Sequence, residues 1–108
     1  MTTIAEQYID AVNRADIATL MALFAPTATL AHPTGTYSGT EEISGFYTSI
    51  VFAGQAVTVI ERQFADQDAQ IIQIRASSPL GEPGKYVYAV DVFTVADGVI
   101  ERLDIYYR

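Results

Sequence analysis

Cysteine is absent from the 108 residues, so neither a disulfide framework nor a thiolate metal site is open to this chain. Histidine occurs once, which removes zinc sites built on several imidazoles. Basic side chains are scarce, with 6 Lys and Arg against 13 Asp and Glu and a formal net charge of −7. That balance argues against nucleic acid or an anionic membrane as partner, because binding phosphate needs a basic footprint. No apolar run is long enough to span a bilayer, and no basic segment leads into an apolar one at the start. These absences predict a single soluble, cytoplasmic domain, with no metal and no organic cofactor implied. One hydrophobic core suits a chain of this length.

Charge is also thin, at 18% of residues where about 25% is usual. Half of the chain is apolar, and there are 7 Tyr and 5 Phe but no Trp. Such a composition fits a chain that covers part of its surface with a partner or lines an apolar cavity.

Hydrophobic spacing divides the sequence into a helical half and a stranded half. Thr3-Ile4-Ala5-Glu6 is a capping box, and Ile4, Tyr8, Val12 and Ala15 follow it at helical spacing. Asn13-Arg14-Ala15-Asp16 breaks that helix, and Asp16 is a suitable N-cap for a second. The stripe of Ile17, Leu20, Met21, Leu23 and Phe24 then runs to Pro26. A short strand is expected over 27–31, stopped by Pro33 and Gly35. Ser38 or Thr40 opens a third helix, with Glu41 and Glu42 well placed against its dipole and Gly54 as its terminator. From Ala56 the period changes to two, and strands are expected over 56–64, 70–77, 85–95 and 99–107. Asp66-Gln67-Asp68 and Ala96-Asp97-Gly98 are hairpin connections, and the longer 77–84 loop is able to sit over a cavity mouth. Helices followed by consecutive antiparallel strands indicate an α+β fold.

Asp91 is the most informative residue. One face of its strand reads Val87, Ala89, Asp91, Phe93, Val95, so a carboxyl group interrupts an apolar row. A two-residue Asp97-Gly98 turn would set Asp104 opposite Asp91. A three-residue loop would set Leu103 opposite Asp91 and Ile105 opposite Ala89, and is preferred because it keeps apolar residues on one face. Burial there would raise the pKa and leave a protonated acid able to donate a hydrogen bond. A salt bridge to an arginine, or a place at a wet sheet edge, is the other reading. Tyr8 and Tyr47 fall on buried helix faces, where a tyrosine ordinarily packs its ring and finds one partner for its hydroxyl. His32 ends a strand just before a Pro-Gly loop, a common location for chemistry. Asp10, Arg14, Asp16, Glu41 and Glu42 read as caps and solvated helix faces.

Several segments together resemble a known family. They are 8–16, Leu23-Phe24-Ala25-Pro26-Thr27-Ala28-Thr29-Leu30, His32-Pro33, Gly39-Thr40-Glu41-Glu42-Ile43 with Phe46-Tyr47, Asp91-Val92-Phe93, the Asp97-Gly98 turn and the closing Tyr106-Tyr107. In these the chain resembles the ketosteroid isomerase (SnoaL-like) branch of the NTF2-like superfamily. The resemblance implies a cone, with a curved, mostly antiparallel sheet wrapped against three helices around an apolar cavity. It also implies a homodimer through the outer sheet face, where Tyr86, Tyr88, Val90 and Val92 form a row.

For function, the resemblance implies a shift of a double bond in an enolisable, steroid-like ketone by proton transfer, with an oxyanion hole holding the enolate oxygen. Tyr8 matches the oxyanion tyrosine, Asp91 the protonated acid beside it, and Tyr47 the tyrosine that orients the first. Phe24 stands where some members carry a further tyrosine. His32 stands where the family places its aspartate base, and a neutral imidazole is able to take a proton in that role. The hydrophobic ligand would be lined by Phe24 and Phe46, by Val87, Ala89 and Phe93, and by Leu103, Ile105 and Tyr107. Two other readings stand beside this one. The first is a non-catalytic module that binds a hydrophobic small molecule. The second is a polyketide cyclase or epoxide hydrolase, the latter calling for an Asp–Arg–Asp cluster that Arg75 and Arg102 are not evidently placed to supply.

Overall fold

The computed structural model describes residues 2–66 and 68–108. Helix α1 (Ile4–Asn13) begins at the capping box: Glu6 N–H donates to Thr3 Oγ1 at 3.1 Å, and Thr3 N–H donates to Glu6 Oε1 at 2.8 Å. A third orphan amide, that of Ala5, donates to Gln70 Oε1 at 2.9 Å, which ties the helix start to the sheet. At its other end Asn13 makes a reciprocal pair with the backbone of Thr58, accepting from its N–H at 2.7 Å and donating to its carbonyl at 2.8 Å. Both ends of α1 are therefore fixed to strands, so the tyrosine midway between them has a defined position.

Asp16 caps α2 (Ile17–Ala22), accepting from the Thr19 amide and hydroxyl. The second helix is shorter than its apolar stripe predicts. Phe24 opens strand β1 (Phe24–His32) instead of closing the helix, and that strand contains Pro26. The register between β1 and its parallel neighbour slips between Phe24 and Thr29, and an irregular stretch of this kind tolerates a residue with no N–H to give. Strand β2 (Gly35–Ser38), which folds back on β1, is also new relative to the sequence reading. Four residues between a proline and a helix carry too little periodicity to reveal a strand.

Helix α3 (Gly39–Phe46) starts at Gly39, whose φ of +83° suits glycine, and Ser38 N–H donates to Glu42 Oε1. The helix widens into a π-helical turn (Tyr47–Val51) that begins with Tyr47. The remaining strands β3 (Val57–Ala65), β4 (Ala69–Ser77), β5 (Val87–Ala96) and β6 (Val99–Tyr107) lie within two residues of their expected bounds. Between β3 and β4, Asp66 N–H donates to Ala69 O at 2.8 Å, and Gln67 of the expected Asp66-Gln67-Asp68 connection lies outside the described residues.

One curved sheet results, in the order β2-β1-β6-β5-β4-β3, antiparallel throughout except where β1 meets β6. Leu30, Ile43, Ile72, Phe93, Ile100 and Leu103 are fully buried between its concave face and the helices. Among the described residues, no helix is long and apolar enough to cross a membrane.

The β5–β6 hairpin corrects the expected register. Asp97 and Gly98 both have positive φ (53° and 78°), the mark of a two-residue turn and not the preferred three-residue loop. Beyond it, Val95 pairs with Ile100 but Thr94 pairs with Arg102, leaving Glu101 as an extra, bulged residue. Asp91 therefore faces Ile105, and neither Leu103 nor Asp104. Phe93 faces Leu103 and Ala89 faces Tyr107. Apolar residues do stay together on one face, but the bulge keeps them there and the turn does not.

Candidate active site

An apolar cavity of about 490 Å³ opens between α1, α3, the π-helical turn and the concave face of β4–β6. Its inner wall carries Tyr8, Tyr47 and Asp91, each almost wholly buried. Ser77, Ser78, Gly81 and Glu82 of the long loop border it as the sequence suggested. That loop is pinned across to the helical side by Ser78, whose hydroxyl donates to the Gly54 carbonyl.

The Tyr8 and Tyr47 hydroxyls are hydrogen-bonded at 2.7 Å. Phe93 meets the Tyr8 ring edge-on at 5.0 Å and Phe24 lies 6.4 Å away, so the ring is wedged in place. Burial pushes the Tyr8 hydroxyl well above its ordinary pKa, with Tyr47 and Asp91 adding to the effect. Tyr47 is also raised, chiefly by burial. Both hydroxyls thus stay protonated and act as hydrogen-bond donors across the accessible pH range.

Asp91 lies on the concave face, 1% exposed, and its Oδ1 has no hydrogen-bond partner. Burial raises its pKa from an ordinary 3.8 to about 7. Of the two sequence readings, the salt-bridged or solvent-facing aspartate is not the one observed. Arg75 stacks over the Tyr86 ring at 4.9 Å and Arg102 pairs with Asp104, and neither guanidinium lines the cavity. An Asp–Arg–Asp cluster is accordingly not formed among the described residues that line the cavity.

His32 also borders the cavity, packed 4.9 Å from the Phe46 ring. Its two nitrogens are both engaged. The Thr34 backbone N–H donates to Nδ1 at 3.2 Å, and the Thr34 hydroxyl lies 2.8 Å from the same atom. A backbone amide only donates, so Nδ1 carries the lone pair and the neutral ring holds its proton on Nε2. Nε2 in turn lies 2.5 Å from the Tyr107 hydroxyl, to which it donates. Burial lowers the pKa of the imidazole, which keeps it neutral at pH 7. Its basic lone pair is turned toward its own loop.

Of the expected lining residues, Phe46, Val87, Ala89, Ile105 and Tyr107 border the cavity, whereas Phe24, Phe93 and Leu103 do not. The reason is the taper of the cone. Residues alternate faithfully along β5, but Phe93 lies two positions deeper than Asp91, where α1 closes on the sheet and the Tyr8 ring covers it. Phe24 and Leu103 lie at the same closed end, in the core. The sequence reading missed the His32–Tyr107 hydrogen bond and the Asn13–Thr58 clamp, since both join residues distant in sequence.

The SnoaL-like domain family matches residues 5–103, nearly the whole chain. The chain belongs to the SnoaL-like family. No curated protein matches this sequence. Among solved structures, a candidate polyketide cyclase from Sinorhizobium meliloti is 27% identical with a TM-score of 0.86, covering 97% of this chain and 94% of that one. A candidate ketosteroid isomerase from Kribbella flavida is 18% identical with a TM-score of 0.85, covering 97% and 75%. SalBIII, an epoxide hydrolase/cyclase-like enzyme of pyran ring formation in the polyether salinomycin, is 22% identical with a TM-score of 0.83, covering 97% and 88%. These neighbours share the fold of this chain under different activity names, and a fold alone does not fix an activity.

Proposed function

We propose that this SnoaL-like protein is a ketosteroid isomerase-like enzyme, which enolises a bulky, mostly apolar ketone and shifts its double bond. The observation that carries this reading is the Asp91 carboxyl: buried, facing the cavity, unpartnered at Oδ1, and titrating at about 7. A group that changes protonation state at the working pH is suited to taking a proton from carbon and giving it back.

Two groups, Asp91 and Tyr8, carry out the proton transfer. The Asp91 carboxylate removes a proton from the carbon next to the ketone and becomes neutral, while the electron pair moves onto the carbonyl oxygen. The Tyr8 hydroxyl, backed by Tyr47, donates a hydrogen bond to that developing oxyanion. Asp91 then returns the proton at the far end of the dienolate, which gives the conjugated ketone. The base is assigned to Asp91 and not to His32, because the His32 lone pair is held by Thr34. A volume of about 490 Å³ suits a drug-sized ligand. The reading includes a homodimer through the outer sheet face, where Ile71 and Tyr106 are exposed, and sedimentation at twice the monomer mass is its test.

The test of the activity is conversion of a 5-ene-3-ketosteroid, followed by the absorbance of the conjugated product. Asp91→Asn is expected to lower kcat by ~10²–10⁴-fold, the usual contribution of a positioned acid–base group. An unchanged rate would remove the assignment.

A second reading is favoured by the 27% identity to the candidate polyketide cyclase. Aldol-type ring closure also begins with enolate formation, and Asp91 and Tyr8 would perform that step unaltered. Turnover of a linear poly-ketone with no conversion of the ketosteroid would select it. Tight ligand binding without turnover of either would leave a binding module.

A further inference from the structure

We infer that the Tyr107 hydroxyl, oriented by His32, is a second hydrogen-bonding station for the ligand, set outward of Asp91 and reading an oxygen acceptor on the part of the molecule remote from the enolised ketone. This inference builds on the proposed site only in taking the Asp91 end as the one that receives the ketone.

The geometry runs from the backbone outward. Thr34 N–H occupies His32 Nδ1, so His32 gives its single proton from Nε2 to Tyr107 Oη. Tyr107 is thereby an acceptor in that bond, and its own O–H is left to donate elsewhere, with no acceptor for it among the described residues. The supports of this hydroxyl are specific. The Tyr107 ring meets His32 edge-on at 5.0 Å and 89°, Phe46 packs against the imidazole at 4.9 Å, and the Thr34 hydroxyl lies 3.2 Å from Tyr37 Oη. Ala89, directly across the ladder from Tyr107, is too small to cover it.

Burial separates this pair from the inner cluster. Asp91 is 1% exposed and Tyr107 is 52% exposed, yet both border the same cavity. A negative charge on Asp91 raises the Tyr107 pKa after burial does, so the two lie in one electrostatic neighbourhood. A half-exposed hydroxyl is ordinarily satisfied by solvent water. A ligand that displaces this water and offers no acceptor loses a hydrogen bond, and one that carries an acceptor there keeps it. The ligand class is therefore an apolar scaffold bearing two oxygen functions, one ketone at the buried end and one carbonyl, ether or hydroxyl nearer the opening.

Binding, which needs no turnover, tests this separately from the isomerase reading. The probes are a 4-ene-3,17-diketosteroid and its counterpart lacking the 17-oxygen, titrated by calorimetry. Tyr107→Phe is expected to weaken the diketone by about 3–10-fold, the worth of one net hydrogen bond, and to leave the mono-ketone within about twofold. His32→Phe should match it, and the double variant should be no worse than either single one, because the residues act as a unit. In the parent protein, the imidazole ¹⁵N spectrum should show Nδ1 unprotonated and a shift at Nε2 on adding the diketone. Equal losses for both probes, no loss for either, no binding of either, or an Nδ1-protonated ring would each overturn the inference. Asp91→Asn without effect on turnover would instead overturn the isomerase reading and leave this one standing.

Discussion

Asp91 on β5 lies directly across the ladder from Ile105 on β6, a pairing set by the single bulged residue Glu101. Without that extra residue the partner would be Asp104, and two carboxylates would face each other over the cavity. With it, one acid stands alone among apolar neighbours, which is the arrangement that raises its pKa.

That isolation lowers stability in a pH-dependent way. Below about pH 4 Asp91 is protonated both folded and unfolded. As pH rises past its ordinary 3.8 the unfolded chain releases the proton while the folded protein keeps it until about 7, so folding weakens across that window. Above about 7 the loss is complete and is on the order of 4 kcal/mol, at ~1.4 kcal/mol per tenfold change in protonation. Asp91→Asn does not titrate, so its stability relative to the parent should increase from about pH 4 to about pH 7 and stay level above that. Urea melts at several pH values check this.

Activity should show the opposite trend. If the ionised carboxylate is the base, kcat/KM for a 5-ene-3-ketosteroid is expected to rise about tenfold per pH unit well below 7 and to level off above it. A rate that falls above pH 7 would assign Asp91 as a neutral hydrogen-bond donor, the role its family resemblance implies.

The Tyr8 hydroxyl makes direct contact with the developing oxyanion in this account, and Tyr47 acts through it. Tyr8→Phe should lower kcat by ~10²–10³-fold, as does loss of other oxyanion donors, and Tyr47→Phe should lower it by less. Both variants should retain the parent's circular dichroism, because the rings remain packed against Phe93 and Phe46.

Asn13 holds the end of α1 to β3 through two hydrogen bonds with the Thr58 backbone. Asn13→Ala leaves those backbone groups unpaired in a partly buried place, and each such group costs ~1–3 kcal/mol. A drop in thermal midpoint of several degrees is expected, together with a reduced kcat, since Tyr8 rides on that helix.

The α+β architecture, the caps of the first two helices and the four long strands were legible in the sequence because each is written locally, in a capping box or in a period of two. Asp91 stood out because it breaks an apolar row. The start of β1 at Phe24 and the short strand β2 were not legible, since helical spacing runs through Leu23-Phe24 and four residues hold too little pattern. The bulge at Glu101 was hidden because alternation resumes on either side of it. Phe93 and Leu103 alternate correctly with Asp91 yet lie below the cavity floor, for strand periodicity gives the face of a sheet and not the depth along a cone. The role of His32 depended on Thr34 N–H and Tyr107, one a backbone atom and the other 75 residues away.

The most direct measurement is the titration of the Asp91 carboxyl carbon by ¹³C NMR in the ligand-free protein. A midpoint near 7 and a clear displacement when a phenolic ligand fills the cavity are the expected results. A midpoint near 4, insensitive to ligand, would mean an ordinary ionised side chain, and the account of proton transfer by this residue would be wrong.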